Sequence, residues 1–385
     1  MTERFIPYGR QEIDDDDVAA VMEVLRGDWL TTGPTVARFE TAFAEYVGAE
    51  NAIAVSSGTA ALHLCMLAAG VGVGDEVIVP ALTFAASANC VRYVGGTVVF
   101  ADVRQDTLTI DTALVASLVT PRTKAIVAVD YAGLPSDLDA LRAICDRHGL
   151  FLVEDACHAP GAEYRGRKVG GIADLTTFSF HPVKHFTTAE GGMVTANDPK
   201  LAAKIRILRN HGITTDHRQR EELGTWEYDQ TMLGFNYRLS DLQSALGLSQ
   251  LKHASRWLGH RRAIASRYSA GLAGLPLSLP VVPPDRTHAY HLYPVRLITD
   301  GPSEARAALY DDLRRHKIGV NVHYRPVYWH SSYESLGYAR GLCPVTESAY
   351  ASLLSLPMWH GLTSPDCDRV IDCVRIALGH SGLVA

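Results

Sequence analysis

Short runs of β-branched and aliphatic residues alternate with longer amphipathic stretches between residues 52 and 200. The runs are nearly all apolar, as in strands covered on both faces, and this alternation predicts a mostly parallel sheet between helical layers. An acidic run at residues 14–17 precedes an apolar-periodic stretch and predicts a helix N-terminus. The predicted strands are residues 52–55, 76–79, 97–100, 125–129, 151–154, 175–180 and 192–195. The predicted helices include residues 59–69, 85–94, 112–118 and 136–148.

The pattern changes near residue 240, where a long helical segment is predicted to run to about residue 273. Prolines between residues 276 and 284 then mark a boundary, and residues 288–385 mix short strands and helices. We therefore predict an α/β fold. Its large domain would comprise residues 1–250 with an N-terminal arm, and residues 251–385 would form a connecting helix and a smaller α+β domain.

Hydrophobic residues make up 47% of the chain and charged residues 20%, the balance of a globular protein. The net charge of −6 comes without any Lys/Arg block, so nucleic-acid binding has little support. No stretch approaches the ~20 apolar residues that cross a membrane, and residues 1–10 lack the pattern of a secretion signal. The seven cysteines are odd in number and include no CxxC pair, so we expect reduced thiols, no metal site and a cytoplasmic location.

Lys184 stands out because it is the only formally charged residue between Leu175 and Ala189 at neutral pH. Its aromatic and β-branched neighbours predict partial burial. Burial without a carboxylate partner lowers the pKa of a lysine amine and makes it a nucleophile that can bond to a carbonyl carbon. The plain alternative is a lysine whose charged end reaches solvent from a loop.

The apolar run that starts at Phe151 ends in two acids, Glu154 and Asp155. Ligands of parallel sheets bind at the carboxyl ends of strands, and neighbouring strand residues point to opposite faces, so only one acid should face a ligand. We choose Asp155, which could pair with a protonated ring nitrogen of a cofactor, and give Glu154 a packing or capping role. His158, one turn further on, either contacts the same ring or is a core histidine.

Ser57, Gly58 and Thr59 lead from the first predicted strand into a helix. A helix N-terminus offers free N–H groups and a positive dipole end to a phosphate, although simple helix capping explains the same residues. Ser179 lies five residues before the candidate lysine, where it could reach the same phosphate. Phe84 follows the second predicted strand and either stacks on a flat ring or belongs to the core.

Taken together, these motifs resemble the DegT/DnrJ/EryC1/StrS family of nucleotide-sugar aminotransferases, which are pyridoxal-phosphate enzymes of fold type I. The resemblance runs from Tyr8 to about Pro357. Each motif alone is weak, whereas the set in this order is highly specific. The motifs are Ser56-Ser-Gly-Thr-Ala60, Thr83-Phe84, Glu154-Asp155, Ser179-Phe-His-Pro-Val-Lys184, Glu190-Gly-Gly192 and Gly234-Phe-Asn-Tyr-Arg-Leu-Ser240.

The resemblance implies that Lys184 holds pyridoxal phosphate covalently and that Asp155 pairs with the ring nitrogen. It also implies that Asn236 reaches the phosphate of the neighbouring subunit, so that the active unit is a homodimer with its sites at the subunit interface. Phe84 and His158 are implied to flank the ring, and Gly58, Thr59 and Ser179 to hold the phosphate. The residues implied to contact the sugar nucleotide are Tyr8, Asp28, Trp29, Leu30, Thr31, His323, Tyr324, Arg325 and Pro326.

The segment around Lys184 resembles the branch of the family that aminates carbon 4 of a UDP-linked 4-keto-6-deoxy-N-acetylhexose, as in the pseudaminic-acid pathway, with L-glutamate as amino donor. Branches that aminate carbon 3 of dTDP-linked sugars more often carry a Tyr-Pro-x-Lys-Asn-Leu-Gly context. The alternatives that stay open are a C-3 keto dTDP-sugar and a keto-cyclitol. A sugar dehydratase on the same scaffold is disfavoured, because that branch replaces the lysine by histidine.

Overall fold

The computed structural model of the protein describes residues 4–380. Its strands are β1 (Asn51–Val55), β2 (Glu76–Pro80), β3 (Thr97–Ala101), β4 (Thr123–Val129), β5 (Phe151–Asp155), β6 (Glu163–Tyr164), β7 (Arg167–Lys168), β8 (Leu175–Ser179), β9 (Gly192–Ala196), β10 (Leu277–Ser278), β11 (Tyr293–Leu297) and β12 (Leu353–Leu356). Its α-helices are α1 (Asp15–Arg26), α2 (Pro34–Val47), α3 (Gly58–Ala68), α4 (Ala85–Tyr93), α5 (Thr112–Leu118), α6 (Leu138–His148), α7 (Pro199–Arg209), α8 (His217–Leu223), α9 (Asp241–Leu251), α10 (Ala254–Gly271), α11 (Pro302–Arg315), α12 (Ser331–Glu334), α13 (Pro344–Ser352) and α14 (Ser364–His380). Short 3₁₀ helices cover Tyr131–Gly133 and Val327–Trp329.

The large domain is built on a seven-stranded sheet in the order β1-β9-β8-β5-β4-β2-β3. Only β9 runs against its neighbours, and the other pairings are parallel. All seven predicted strands occur in this sheet with ends within two residues of the prediction. The expectation of a mostly parallel sheet in an α/β fold is therefore confirmed.

Alternate residues of the central strands enter different cores on the two faces of the sheet. Val127 and Val153 pack in one core with α3, α4 and α7, whereas Ile126 and Leu152 pack in another with α5 and α6. Because both faces are covered, neither face of these strands carries polar positions, which explains why their sequences read as continuous apolar runs.

The acidic run begins α1, as its position predicts. The Asp14 carboxylate accepts a hydrogen bond from the Asp17 N–H, and the Asp17 carboxylate accepts one from the Asp14 N–H. This reciprocal capping satisfies N–H groups that have no partner within the helix.

The prediction of one long helical segment from residue 240 to about residue 273 is wrong in one respect, since α9 and α10 are separate helices. At Lys252 and His253 the backbone N–H groups donate to carbonyls three residues back, a tighter turn than that of an α-helix. The side chain of Gln250 turns to the N-terminal segment, where its amide donates to the Asp17 carboxylate and the Glu12 carbonyl. These long-range contacts accompany the break and have no signature in the local sequence.

The smaller domain contains the antiparallel sheet β10-β11-β12, packed against α10, α11 and α14. The N-terminal arm belongs to this packing, because Ile6 is buried in the same core and pairs with Ile318. The Met358 N–H donates to the Tyr8 carbonyl, and Met358 is buried in this same core, so the arm is held along the smaller domain. Across residues 4–380, no helix has the length and apolar character to cross a membrane, and no cluster of His, Cys, Asp or Glu could hold a metal ion.

Candidate active site

A cavity of about 520 Å³ opens where the parallel strands end. The ends of β1, β2, β4, β5 and β8 and the residues that follow them line one side of it, as in other open parallel sheets. Residues 321–324 of the smaller domain and Tyr8 of the N-terminal arm line it too. Its lining includes Tyr8, Ser57, Gly58, Thr59, Thr83, Phe84, Asp155, Cys157, His158, Ser179, Lys184, Glu190, His291, Asn321, His323 and Tyr324.

Lys184 lies in the loop between β8 and β9. Its backbone N–H donates to the His181 carbonyl (2.8 Å), and the Thr188 N–H donates to the Phe180 carbonyl (3.0 Å), so the loop is folded back on itself. The buried rings of Phe180 and Phe186 stack with 5.3 Å between their centroids and anchor the loop on the core. The loop therefore holds its lysine in a defined position.

Burial lowers the pKa of the Lys184 amine, because a charged amine loses its hydration inside the protein. Cys157 and Asp155 act in the opposite direction, and the positive charge of Arg261 acts in the same direction as burial. The neutral, nucleophilic form of this amine is therefore reached at a lower pH than in an exposed lysine.

The carboxylate of Asp155 faces the cavity and is held by two donors. Its Oδ2 accepts a hydrogen bond from the Ser87 hydroxyl (2.6 Å), and its Oδ1 accepts one from the Cys157 N–H (3.2 Å). Ser87 in turn lies 2.8 Å from the hydroxyl of Thr83. These contacts fix the orientation of the carboxylate at the end of β5.

The neighbouring acid, Glu154, lies on the other side of β5 and does not line the cavity. It accepts a hydrogen bond from the Thr176 hydroxyl (3.0 Å) and faces the buried Asp130. Burial is the main cause that raises the pKa of Glu154 to about 7, and burial together with the Glu154 charge raises the pKa of Asp130. The two carboxyl groups lie in a dry environment, which favours a shared proton over two charges.

Helix α3 begins at the cavity wall, with Ser57 as its N-cap. The Ser57 hydroxyl accepts a hydrogen bond from the Ala60 N–H (3.1 Å), and the first N–H groups of the helix have no intrahelical partner. Gly58 is required here, because a Cβ on it would lie 2.9 Å from the Ser179 Cβ. Gly192 is required as well, because its Cβ would lie 2.5 Å from the Ser57 carbonyl group. The two glycines let the start of the helix lie directly against β8 and β9. Its free N–H groups there have the arrangement that binds anions in other proteins, and we call this place the cradle.

Aromatic groups surround the remaining space. The Tyr324 hydroxyl lies 3.3 Å from Nε2 of His158, and the rings of His158 and His291 lie 4.2 Å apart. Phe84 is 58% exposed although it is a large aromatic residue, and its ring lies 5.9 Å from that of Tyr324. Burial lowers the pKa of His158, with Lys184 as a second cause, so this imidazole is neutral at physiological pH. A flat, apolar ring with a polar edge fits between such groups.

A model of the DegT/DnrJ/EryC1/StrS aminotransferase family matches residues 11–375. The chain belongs to the DegT/DnrJ/EryC1/StrS aminotransferase family. The spore coat polysaccharide biosynthesis protein SpsC of Bacillus subtilis is 41% identical over 375 residues, 96% of either chain.

Solved structures of DegT/DnrJ/EryC1/StrS relatives superpose closely. Spr1654 of Streptococcus pneumoniae in its PMP form has a TM-score of 0.93 and 32% identity, over 97% of this chain and 99% of that one. The same protein has also been solved in a PLP form. PseC of Helicobacter pylori, an aminotransferase involved in pseudaminic acid biosynthesis, has a TM-score of 0.91 and 32% identity, over 98% of this chain and all of that one.

As a DegT/DnrJ/EryC1/StrS aminotransferase, the protein uses pyridoxal phosphate. The residues present fit this cofactor. The cradle at Gly58, Thr59 and Ser179 suits a phosphate, the Asp155 carboxylate suits a protonated ring nitrogen, and the buried amine of Lys184 suits a covalent bond to the aldehyde carbon.

Several residues predicted from the resemblance do not line this cavity in the single chain. Asn236 pairs with Asn210, Thr31 pairs with Ser240, and the Arg325 guanidinium donates to the Trp329 carbonyl (2.6 Å). The predicted residues outside the cavity lining are Asn236, Asp28, Trp29, Leu30, Thr31, Arg325 and Pro326. Those inside it are Tyr8, Gly58, Thr59, Phe84, Asp155, His158, Ser179, Lys184, His323 and Tyr324.

Sequence reasoning did not assign a site role to Ser87, Cys157, His291 or Asn321, which touch Asp155 or line the cavity. One of them had a local signal. Ser87 lies in the first turn of α4, four residues after Thr83, and the hydroxyls of these two residues are 2.8 Å apart. The others come from distant segments that only the fold brings together.

Proposed function

We propose that the enzyme transfers an amino group from L-glutamate to carbon 4 of a UDP-linked 4-keto-6-deoxy-N-acetylhexose of the pseudaminic-acid type. The observation that carries the proposal is the loop from Ser179 to Gly192, whose sequence is similar to that of the branch aminating carbon 4. The similarity to PseC over 98% of the chain supports the same pathway type. The name of SpsC, a polysaccharide biosynthesis protein, supports a sugar destined for a glycan.

In the proposed reaction Lys184 moves protons, and the Asp155 carboxylate stabilises the proton on the ring nitrogen of the cofactor. Bound pyridoxal phosphate supplies the electron sink. The amine of Lys184 would remove the α-proton of the amino donor in the first half-reaction and would deliver a proton to carbon 4 of the sugar in the second. Asp155 keeps the ring nitrogen protonated throughout, and the lowered pKa of Lys184 suits its role as a base.

We assign the sugar to the side of the cavity formed by Tyr8, His323 and Tyr324. Burial and the charge of Lys184 lower the pKa of His323 to about 4, so its ring is a neutral hydrogen-bonding group. Its Nδ1 lies 2.9 Å from the Ser355 hydroxyl, and its ring lies 5.6 Å from that of Tyr8. Residues 28–31 and 325–326 would meet the nucleotide in the assembled enzyme.

We propose a homodimer in which Asn236 reaches the phosphate in the neighbouring subunit. Exposed apolar side chains precede this residue along the chain, with Trp226 85% exposed and Leu233 81% exposed. Apolar surface of this kind is typical of a contact with another chain. The free, buried thiols of Cys65, Cys90 and Cys145 support the proposal of a cytoplasmic enzyme.

A substrate panel tests the proposed specificity. The purified enzyme with pyridoxal phosphate and glutamate is offered UDP- and dTDP-linked 4-keto and 3-keto sugars and a keto-cyclitol, and the products are identified by mass spectrometry and NMR. We expect amination of the UDP-4-keto sugar at carbon 4. Amination of the dTDP-3-keto sugars or of the cyclitol alone would overturn the carbon 4 assignment and leave the cofactor chemistry intact.

A further inference from the structure

Arg261 is a fully buried guanidinium in α10. Its Nη1 donates to the carbonyls of Tyr290 (3.0 Å) and Met358 (3.2 Å), with a longer contact to the His291 carbonyl (3.4 Å). Its Nε and Nη2 have no hydrogen-bond partner among residues 4–380. The positive charge is therefore held inside the protein by backbone carbonyls alone.

A buried guanidinium without a carboxylate is costly, because it loses hydration and gains no opposite charge. Arginine is among the residues that are almost never fully buried unless paired. If Arg261 only tied segments together, a neutral side chain could contact the same carbonyls at lower cost. The charge itself is therefore the property that needs an explanation.

The surroundings of Arg261 lead directly to the cavity. The ring of His291, whose carbonyl it contacts, lines the cavity and lies 5.6 Å from the ring of His185. His185 follows Lys184 in the chain, and its Nε2 lies 2.9 Å from the Ala289 carbonyl. Arg261 therefore lies directly behind the layer of side chains that forms the cavity wall beside Lys184.

Among the described groups that act on the pKa of Lys184, Arg261 is the one that carries a positive charge at pH 7. Asp155 carries a carboxylate, and burial raises the pKa values of Cys157 and Tyr324, so both are neutral at pH 7. Tyr8 is neutral too, and Glu190 and His181 lie at the exposed side of the cavity. Burial lowers the pKa values of the four neighbouring histidines, which are His158, His185, His291 and His323.

We propose that Arg261 is a positioning residue whose fixed charge keeps the freed amine of Lys184 neutral and ready to accept a proton. The inference rests on the proposed function, in which Lys184 is the base. A positive charge behind the amine disfavours the ammonium form in both half-reactions and offsets part of the larger, opposite influence of Asp155. Burial lowers the pKa of Arg261 to about 9, which leaves the guanidinium charged at physiological pH.

The test compares Arg261→Gln and Arg261→Lys with the wild type as holoenzymes. The visible absorption of the bound cofactor is titrated with pH, and the midpoint reports the protonation of the nitrogen of Lys184. Arg261→Gln removes the charge and is expected to move the midpoint upward by about one pH unit. A pKa shift of this size is typical of one charge acting through partly buried protein. Arg261→Lys keeps the charge, so its midpoint should stay near that of the wild type.

A second readout uses the cofactor-free protein. The rate of pyridoxal phosphate uptake depends on the neutral fraction of Lys184, so its pH profile should move upward in Arg261→Gln in the same way. Arg262→Gln is the matched control, because Arg262 is the next residue of α10 and donates to the His288 carbonyl and the Thr287 hydroxyl instead. Neither readout should move in this control. Arg261→Met serves as a second neutral variant if the glutamine variant does not fold.

A purely structural role predicts a different result. Both Arg261→Lys and the neutral variants would then melt at lower temperature, and none of the midpoints would move. That outcome, or an equal shift in the lysine and glutamine variants, overturns the inference. If the wild type itself shows no visible band dependent on Lys184, the proposed function fails, whereas an intact band with unmoved midpoints refutes only the role of Arg261.

Discussion

The floor of the cavity and its rim differ in how far one chain completes them. The floor consists of Asp155, Lys184 and the cradle around Gly58, all held by hydrogen bonds or close packing at the ends of the parallel strands. For the rim we propose Asn236 and the residues at 28–31 and 325–326, which do not line the cavity in the single chain and include exposed side chains.

The difference indicates which properties a single subunit determines. In the proposed reaction the floor binds the cofactor and moves protons, so its geometry must be fixed before any substrate arrives. The rim would recognise a large nucleotide sugar, and we propose that a second subunit completes it. Variants of the floor should therefore abolish the chemistry. Variants of the rim should weaken binding, and an intact second subunit should be able to compensate for them.

Replacing Lys184 by alanine is expected to give the largest loss. Without the amine there is no covalent link to the cofactor and no base, so turnover should fall by at least about 10³-fold. The visible absorption band that depends on this lysine should disappear as well. Steady-state kinetics and absorbance spectra measure both effects.

The control for this variant is Lys200→Ala, which removes an exposed lysine at the start of α7. Circular dichroism should show that both variants are folded, and only the Lys184 variant should lose activity. Wild-type turnover in the Lys184 variant would contradict the role of the floor altogether.

Asn236→Ala tests whether the rim acts across a subunit interface. Loss of one hydrogen bond to a charged phosphate should weaken cofactor retention by about 10- to 100-fold, measured by equilibrium dialysis. The decisive measurement mixes this variant with Lys184→Ala. If Asn236 acts in the neighbouring subunit, a mixed dimer has one intact site, and random mixing should restore about a quarter of the wild-type activity.

The mixing experiment distinguishes an Asn236 that acts in the neighbouring subunit from one that acts in its own. If Asn236 serves its own subunit, every site in the mixture carries a defect, and no activity returns. Gel filtration of the separate variants checks that each one still forms dimers. Full activity of Asn236→Ala alone would remove this residue from the rim.

The sequence predicted the floor far better than the rim for physical reasons. The strands were predictable because burial on both faces forces continuous apolar runs, and Asp155 and Lys184 stand out as charges at the edges of such runs. By contrast, the complete burial of Arg261 could not be read from its neighbours, since arginine is normally exposed. The break between α9 and α10 likewise accompanies contacts of Gln250 with the distant N-terminal segment.

Ser87→Ala is expected to have a smaller effect on the floor. It removes the 2.6 Å hydrogen bond that orients the Asp155 carboxylate and leaves the Cys157 N–H as the second donor. We expect kcat to fall by about three- to tenfold, with little change in the KM for the sugar. Ser117→Ala, at an exposed position of α5, should have no effect. An unchanged kcat in Ser87→Ala would mean that Asp155 is held without the Ser87 hydroxyl.

Glu154→Gln is expected to change activity least, within about twofold, because Glu154 lies outside the cavity although it precedes Asp155 on the same strand. Its effect should appear in stability instead. Folding raises the pKa of this carboxyl from its ordinary value of 4.5 to about 7, so the folded state binds a proton that the unfolded chain releases between these values. The stabilising contribution is full below about pH 4.5 and is lost as the pH rises towards 7.

In the Glu154→Gln variant this contribution cannot vary with pH. The free energy of unfolding, measured by urea denaturation from pH 4.5 to 7.5, should therefore fall less steeply in the variant than in the wild type. The difference should be on the order of 2 kcal/mol across the window. Glu45→Gln, at an exposed position of α2, should follow the wild-type curve. Equal slopes in Glu154→Gln and wild type would show that the buried acid beside Asp155 carries its charge in the folded protein, and a large loss of activity would move Glu154 into the floor.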